Sequence, residues 1–300
     1  MDDDGRLDLG ATRQSEQPAR SLLIVDGDNL AHRAYHSTPK TVTGAGGAPI
    51  NAIVGFVGML TRVWSGERPR AVFVAWDTLG AETYRHRLWP PYQSGRVFEP
   101  EIVHQLGLLP ALCRAFGCGV GQQAGFEADD LMAAAAAEEV RRGGACLLLS
   151  TDRDAYQLVS DRVTVLSPRR GTRQLERIGP REVEDRLGVP PELVPDFKAL
   201  SGDPSDKIPG LPGIGPKTAA SLLRTHGTLE AALAARGRPE ETELARTFRE
   251  VVRLRPDVPV HLPPSVAPDW RGGAAALRAL GANTLADRVA ALAALAPAPG

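Results

Sequence analysis

The residues of this chain best placed to do chemistry are carboxylates in short, repeated spacings. Asp26, Asp77 and Asp152 each follow a short apolar run. Phe126-Glu-Ala-Asp-Asp130 opens a helical pattern, which sets Glu127 and Asp130 one turn apart and turns Asp129 to another side. Asp154 closely follows Asp152, and Asp206 falls one helical turn after Asp203. Any one of these sets could be an ordinary cap, because acids in a first helical turn bind free amides and complement the helix dipole. Several sets converging would be different: the carboxylates would repel one another unless cations lay between them. Oxygen ligands without His or Cys suit Mg²⁺ or Mn²⁺ rather than zinc. Two such ions about 4 Å apart could activate a water and stabilise the departing oxygen of a phosphodiester. Hydrolysis is therefore the expected reaction. Asp28 is left outside the set, since continued strand alternation would turn it away, and Asp2, Asp3 and Asp4 belong to the leader.

The Asp203 and Asp206 pair leads into Leu211-Pro-Gly-Ile-Gly-Pro-Lys-Thr-Ala219. Gly213 and Gly215 can take the positive φ of a tight turn, and Pro216 suits the first turn of a helix. The open amides of that helix start, with Lys217 and Thr218 beside them, suit a phosphate. This is the helix-hairpin-helix pattern of sequence-independent DNA binding. Glycine and proline also make plain loops between helices, but the lysine and the alanine-rich helix that follow favour the hairpin. A second stretch, 84–97, interleaves Tyr84, Trp89 and Tyr92 with Arg85, Arg87 and Arg96 and contains no acid. Aromatics can stack on unpaired bases while arginines follow the backbone; the alternative is a surface loop whose aromatics anchor it to the core. His86 reads as a solvated side chain, not a ligand.

For these groups to act together, the fold must gather them. Residues 21–25, 70–76 and 145–150 read as buried strands, separated by helical patterns at 50–64, 100–116 and 129–142. Strands alternating with helices imply an α/β chain with a mostly parallel sheet. In such a sheet the carboxyl ends of the strands share the edge where ligands bind, so aspartates far apart in sequence would meet. After a run at 163–166 the pattern turns helical, with helices expected near 180–188, 191–200, 216–226, 228–236 and 240–253. This divides the chain into a disordered leader (1–20), a sheet domain (21–178) carrying the basic aromatic run as a helical gateway near 82–100, a hairpin region (179–255) and a C-terminal extension (256–300). In the last, a Pro-rich stretch at 255–268 precedes two alanine-rich helices and a frayed end.

The formal charge of −1 does not exclude a polyanionic partner. With the nine clustered acids set aside, 27 of the 36 remain against 35 basic residues, and bound cations would neutralise part of the cluster. Only Lys40, Lys198, Lys207 and Lys217 are lysines, and three of these four fall between 198 and 217, where compact point charges would serve a nucleic acid. No apolar run approaches the roughly 18 residues of a membrane span, and the acidic N-terminus is unlike a secretory signal. Cys113, Cys118 and Cys146 lack a CxxC spacing, so neither a disulfide framework nor a zinc site is expected, and a reducing cytoplasm is.

Together, LLIVDGDNLAHRAYHS, VFVAWD, TYRHRLWPPYQSGR, GFEADDLMA, LLLSTDRDAYQLVSDRVTVL and GDPSDKIPGLPGIGPKTA make most of the chain resemble the 5′-nucleases. The resemblance is in particular to the 5′→3′ exonuclease domain of bacterial DNA polymerase I and to the related flap endonucleases. It implies a PIN-like sheet flanked by helices and followed by a helix-hairpin-helix. It also implies two divalent ions, Mg²⁺ or Mn²⁺, held by Asp26, Asp77, Glu127, Asp129, Asp130, Asp152, Asp154, Asp203 and Asp206, and a potassium ion at the hairpin carbonyls. Arg33, Arg85 and Arg96 then stand as catalytic cations, with Tyr84, Tyr92, Gln93, Gly213, Gly215, Lys217 and Thr218 on the DNA. The expected partners are 5′ flaps, nicked or gapped duplex and 5′ ends, met by a cytoplasmic monomer; with no polymerase domain following, a stand-alone member is expected.

The chain departs from that family at three points. Gln93 stands where a gateway lysine usually reaches the scissile phosphate, and an amide cannot supply that charge; Arg85 and Arg96 keep their family positions and would carry more of the load. Lys207 replaces an asparagine common after the second carboxylate, and His32 stands where a tyrosine is frequent, still able to stack on a base. The expected activity is metal-dependent, structure-specific DNA hydrolysis. The alternatives are a PIN-type ribonuclease, which would not need the hairpin, and a junction-binding protein with weak or lost chemistry, which Gln93 permits.

Overall fold

The computed structural model describes residues 20–95, 97–169 and 174–295. Along the chain run β1 (Leu22–Asp26), α1 (Gly27–Ser37), α2 (Asn51–Glu67), β2 (Ala71–Trp76), α3 (Tyr84–Leu88), α4 (Pro100–Ala115), β3 (Gly119–Gln122), α5 (Ala128–Arg141), β4 (Cys146–Leu149), β5 (Val163–Pro168) and β6 (Leu175–Ile178). Helices follow: α6 (Pro180–Leu187), α7 (Val194–Ser201), α8 (Pro216–His226), α9 (Leu229–Arg236), α10 (Glu240–Val252), α11 (Trp270–Ala279) and α12 (Asn283–Leu295).

Leu22, Leu23, Ile24 and Val25 are wholly buried, and alternation sends Leu23 and Val25 into one core and Leu22 and Ile24 into another on the opposite face. A parallel strand covered on both faces requires such an unbroken apolar run. At about 1.5–3 kcal/mol for each buried aliphatic side chain, β1 is held in one register, and Asp26 at its end is held with it. The sheet order is β3-β2-β1-β4-β5-β6. All pairs are parallel except β5 with β6. Strand order reverses between β1 and β4, and the crevice outside such a switch point is where α/β sheets take ligands. Asp26 and the turn after β4 flank it.

Three sheet-domain elements lie beyond those expected from the sequence. Helix α1 starts directly after β1, with Asp26 as its N-cap, accepting from Asn29 N; Gly27 permits this because a Cβ there would meet the Trp76 ring at 2.5 Å. Strand β3 reads Gly-Val-Gly-Gln and carries no apolar run. Its pairing with β2 is set by tertiary contact, and Gly121 leaves room for the Phe73 ring. Strand β6 is a short antiparallel edge that a helical reading of the same region passes over.

A third core, separate from the two under the sheet, unites α7 to α10 and the hairpin through Phe197, Leu200, Leu223, Phe248 and Val251. The C-terminal helices form no appendage. The 255–268 segment crosses back over the molecule, where Val266 N donates to Arg70 O and Asp269 N to Phe116 O. Trp270, Leu277, Ala286 and Val289 then complete the first core over α2 and α4. No described helix is long and apolar enough to cross a membrane.

Candidate active site

At the switch point, Asp26 accepts from Asn29 N (3.1 Å) and from Ser150 Oγ (2.8 Å). Burial, with Asp152 and Asp77 nearby, pushes its carboxyl up to about 7 despite the Ser150 bond. Asp77, at the end of β2, accepts from Ala128 N at 2.7 Å, which joins β2 to the start of α5. Asp28 returns to the site, contrary to expectation, and accepts from Asp77 N at 2.7 Å. Helical rotation in α1, not strand alternation, sets its direction.

Glu127 is the N-cap of α5 and accepts from Tyr92 Oη at 2.9 Å. Burial drives its carboxyl up to about 7, Arg85 opposing and Asp77 adding to the rise. Asp129 Oδ1 is buried without a hydrogen bond, with the Arg85 guanidinium 3.5 Å away. Burial holds the Asp129 carboxyl well above the usual range.

Asp130 and Arg85 correct the sequence reading. Asp130 is fully buried and takes both arms of Arg85, at 2.6 and 2.8 Å. It also accepts from Tyr84 Oη, Glu127 N and Arg255 N. Its oxygens are committed to protein donors, so it positions the α5 acids and does not face the cavity as a ligand would. Arg85 is 1% exposed and also donates to Val251 O. Burial works against its charge, but Asp129, Glu127 and Asp130 outweigh that and raise its pKa. A guanidinium so enclosed neutralises the acids from behind and has no path to a phosphate in this arrangement.

The second half of the centre lies across the crevice. Asn29 Oδ1 accepts from Thr151 N and Oγ1, Ser150 Oγ from Asp152 N, and Asp152 Oδ1 from Asp154 N, which together fix the 150–154 turn. Oxygens of Asp154, Asp203 and Asp206 lie within 4.8 Å of one another. Lys198 of α7, only 8% exposed, pairs with Asp154 and reaches Asp203 at 2.6 Å. For Asp203, burial alone would raise the carboxyl; Lys198 and Ser205 outweigh it and hold the pKa below the usual range. The sequence marks Lys198 only as one of the lysines crowded between 198 and 217, and that crowding is its signal.

Asp26, Asp28, Asp77, Glu127, Asp129, Asp152, Asp154 and Asp206 thus line one cavity of about 310 Å³, with His32, Leu79 and Phe98 at its lip. Asp203 opens onto an adjoining groove of about 900 Å³ that also reaches Arg153, Lys217 and Arg224. An all-oxygen donor set, with the buried Asp129 Oδ1 lacking a hydrogen bond, fits a hard divalent cation.

The basic aromatic run is bound inward. Tyr92 is 3% exposed, with its hydroxyl on Glu127. The Arg85 and Arg255 guanidinium groups both lie over the Tyr84 ring, at 4.7 and 4.8 Å, and Trp89 donates to Lys207 O. The tyrosines therefore orient acids where bases were expected to stack, and the exposed ring at the cavity is Phe98, 4.7 Å from His32. His86 caps α3 through Thr83. Gln93 Nε2 donates to Asp206 Oδ1 at 3.0 Å. Arg33 stands on α1 outside the cavity lining, and Arg96 lies outside the described residues. In the hairpin Gly213 has φ 75°, but Gly215 is extended at φ −89°, the conformation a residue before proline favours. Lys217 and Thr218 are exposed at the start of α8.

A parallel sheet gathering carboxylates at its switch point, beside a hairpin with open amides, defines a nuclease-type α/β fold. The chain belongs to the 5′-3′ exonuclease family: its N-terminal resolvase-like domain matches residues 21–188 and its C-terminal SAM fold matches residues 189–268. DNA polymerase I of Mycobacterium bovis is 38% identical over 252 residues, 82% of this chain. The thermostable DNA polymerase I of Thermus thermophilus is 37% identical over 294 residues, 94% of this chain. The chain spans 28% and 34% of those polymerases' lengths. Among solved structures, T5 5′-exonuclease with bound divalent zinc has the same fold, with a TM-score of 0.66 and 23% identity over 90% of this chain and 97% of that one. The catalytic core of Rad2 with DNA substrate follows at a TM-score of 0.56 and 16% identity, over 91% of this chain and 94% of that one.

Proposed function

We propose that this chain is a metal-dependent, structure-specific DNA nuclease that hydrolyses phosphodiesters as a 5′→3′ exonuclease and 5′-flap endonuclease in replication and repair. The observation that carries this reading is the gathering of eight acids around one cavity that adjoins the groove leading to Lys217. Asp26, Asp77, Glu127 and Asp129 would hold one Mg²⁺ or Mn²⁺, and Asp152, Asp154, Asp203 and Asp206 a second; a potassium ion at the hairpin carbonyls would steady the duplex end. When bound, the divalent ions supply an activated water and charge stabilisation at the departing oxygen.

The protein's own contribution is placement. Ser150, Asn29 and Ala128 N aim Asp26, the 150–154 turn and Asp77 into the crevice. Tyr92 and Arg85 hold Glu127. The hairpin amides and Lys217 would grip duplex backbone without reading sequence, leaving the strand end to enter the acidic cavity. A labelled 5′-flap and a nicked duplex, each incubated with Mg²⁺, Mn²⁺ or a chelator, test the reading: cleavage should need the metal. An RNA flap cut faster than its DNA counterpart would point to a ribonuclease instead, and tight junction binding without cleavage in either metal would point to a binding protein.

A further inference from the structure

Among the described residues, three non-glycine residues hold a positive φ: Arg68 at 48°, Gln93 at 45° and Lys207 at 57°. Arg68 ends α2 as an ordinary left-handed cap. Gln93 and Lys207, by contrast, meet across the contact between the return turn of the gateway and the 203–208 loop. Gln93 N donates to Asp206 O at 3.3 Å, and its side chain donates to Asp206 Oδ1 at 3.0 Å. From the other side Lys207 Nζ bonds both Ser94 O and Ser94 Oγ, and Lys207 O accepts from Trp89 Nε1 at 3.0 Å. Left-handed backbone is costly for any residue with a Cβ, and non-glycine residues held there cluster where the surroundings over-determine them, often at functional sites. Here the two strained residues form opposite halves of one clasp, and the side chain between them, Asp206, is a cavity-lining acid.

We propose that Lys207 is a positioning residue for Asp206: its ammonium fastens the gateway turn to the 203–208 loop, so that placement of the gateway and orientation of this acid are a single event. The link to Asp206 rests on the metal-dependent reading above; the clasp itself does not. A substrate that moved the gateway would pull on Asp206 through Gln93, and an ion seated on Asp206 would tighten the gateway. Loss of the Lys207 bonds would loosen the gateway turn and, with it, the Gln93 side chain that holds Asp206 Oδ1, while the carboxylate itself remained intact.

Lys207→Asn, made in the full chain, separates the clasp from backbone strain, because Asn tolerates the left-handed region but carries no ammonium. Two measurements decide. Chymotrypsin, without metal or DNA, reports on the gateway, where Tyr84, Tyr92 and Phe98 are candidate cut sites; cleavage there should quicken by about tenfold as the turn opens locally. Mn²⁺ titration followed by electron paramagnetic resonance should show the weaker ion bound several-fold less tightly. That sign is diagnostic, because removing a cation beside acids would by electrostatics alone tighten Mn²⁺ binding. Lys207→Arg should restore protection, and Ser94→Ala should give a smaller change in the same direction. Unchanged proteolysis, or Mn²⁺ binding that is unchanged or tighter in Lys207→Asn, overturns the proposal. If the wild type itself binds no Mn²⁺, the metal reading and the role of Asp206 fall together, while proteolysis still judges the clasp.

Discussion

In the strand-end half of the acidic centre the cation stands behind the carboxylates; in the hairpin half it stands among them. Arg85 is locked to Asp130 and Val251 O, with no freedom to leave. Lys198 reaches between Asp154 and Asp203, in the space a divalent ion would share. Guanidinium suits the first place because its planar fork satisfies two oxygens at once, and ammonium suits the second because it is a compact point charge on a flexible stem. The consequence appears in the acids. Asp26, Glu127 and Asp129 are driven upward by burial, whereas Asp203 is held low by Lys198 and Ser205. The strand-end half is thus a rigid site short of positive charge, and the hairpin half carries a cation that an incoming ion must displace or accommodate.

The sharpest break of that contrast is removal of each cation. Arg85→Met leaves Glu127, Asp129 and Asp130 buried without their partner and should destabilise the metal-free protein by about 3–5 kcal/mol in urea unfolding. Lys198→Met should lose clearly less, and saturating Mg²⁺ should recover Lys198→Met while leaving most of the Arg85→Met deficit. Equal losses, or equal recovery, would show that the two halves are not built differently.

The same contrast separates rate from pH dependence. Asp26→Asn and Asp77→Asn should each cut single-turnover cleavage by at least about a hundredfold while sparing DNA affinity. Because the folded-state values of Asp26 and Glu127 are raised to about 7, the folded chain binds more protons than the unfolded one. The stability these groups contribute is full below the ordinary carboxylate range and is lost as pH rises through about 7. With chelator present, thermal stability should therefore fall between pH 5 and pH 8. Asp26→Asn should flatten the fall, and added Mg²⁺ should raise the melting temperature more at the higher pH. A metal-free protein whose stability rises across that range would sink the assignment of raised carboxyls to this half.

Much of this centre was legible in the sequence because β1, β2 and β4 are fully apolar runs whose ends the sheet geometry brings together. Asp26 and Asp77 close their runs directly and Asp152 comes just after its strand, beyond Ser150 and Thr151, so strand placement brings all three to one crevice. What stayed hidden depended on side-chain direction. Strand alternation would turn Asp28 away from the site, whereas α1 begins at once after Asp26 and turns it back. The buried pairing of Asp130 with Arg85 is invisible in the sequence because nothing in spacing tells a buried ion pair from an exposed one. Strand β3 leaves no signal because Gly-Val-Gly-Gln has no pattern of its own, only a partner in β2. The C-terminal helices looked like an extension because the 255–268 crossing that returns them to the first core is specified by tertiary bonds to Arg70 and Phe116.

Enclosure of Arg85 also sharpens the reading of Gln93. With Arg85 unable to reach a phosphate, the gateway side chain that lines the cavity there is an uncharged amide bonded to Asp206 and Tyr92. Gln93→Lys should raise single-turnover cleavage of a 5′-flap by tens of fold by adding a cation where charge develops. An unchanged rate would mean that another cation already fills this role.

The smallest expected effect lies at the hairpin. Lys217 is exposed at the first turn of α8 and borders the groove that also holds Asp152 and Asp203. If that groove carries duplex backbone, Lys217 contributes one phosphate contact and no sequence reading. Lys217→Ala should then weaken binding only several-fold, alike for unrelated sequences, and lessen the slope of log K against log salt by about one. Cleavage at saturating DNA should keep its wild-type rate and metal dependence, because neither half of the acidic centre is touched. An unaltered salt slope would place the duplex elsewhere. A fall in the saturated rate would show that the hairpin does more than hold the substrate, and the division between a gripping region and a reacting one would have to be redrawn.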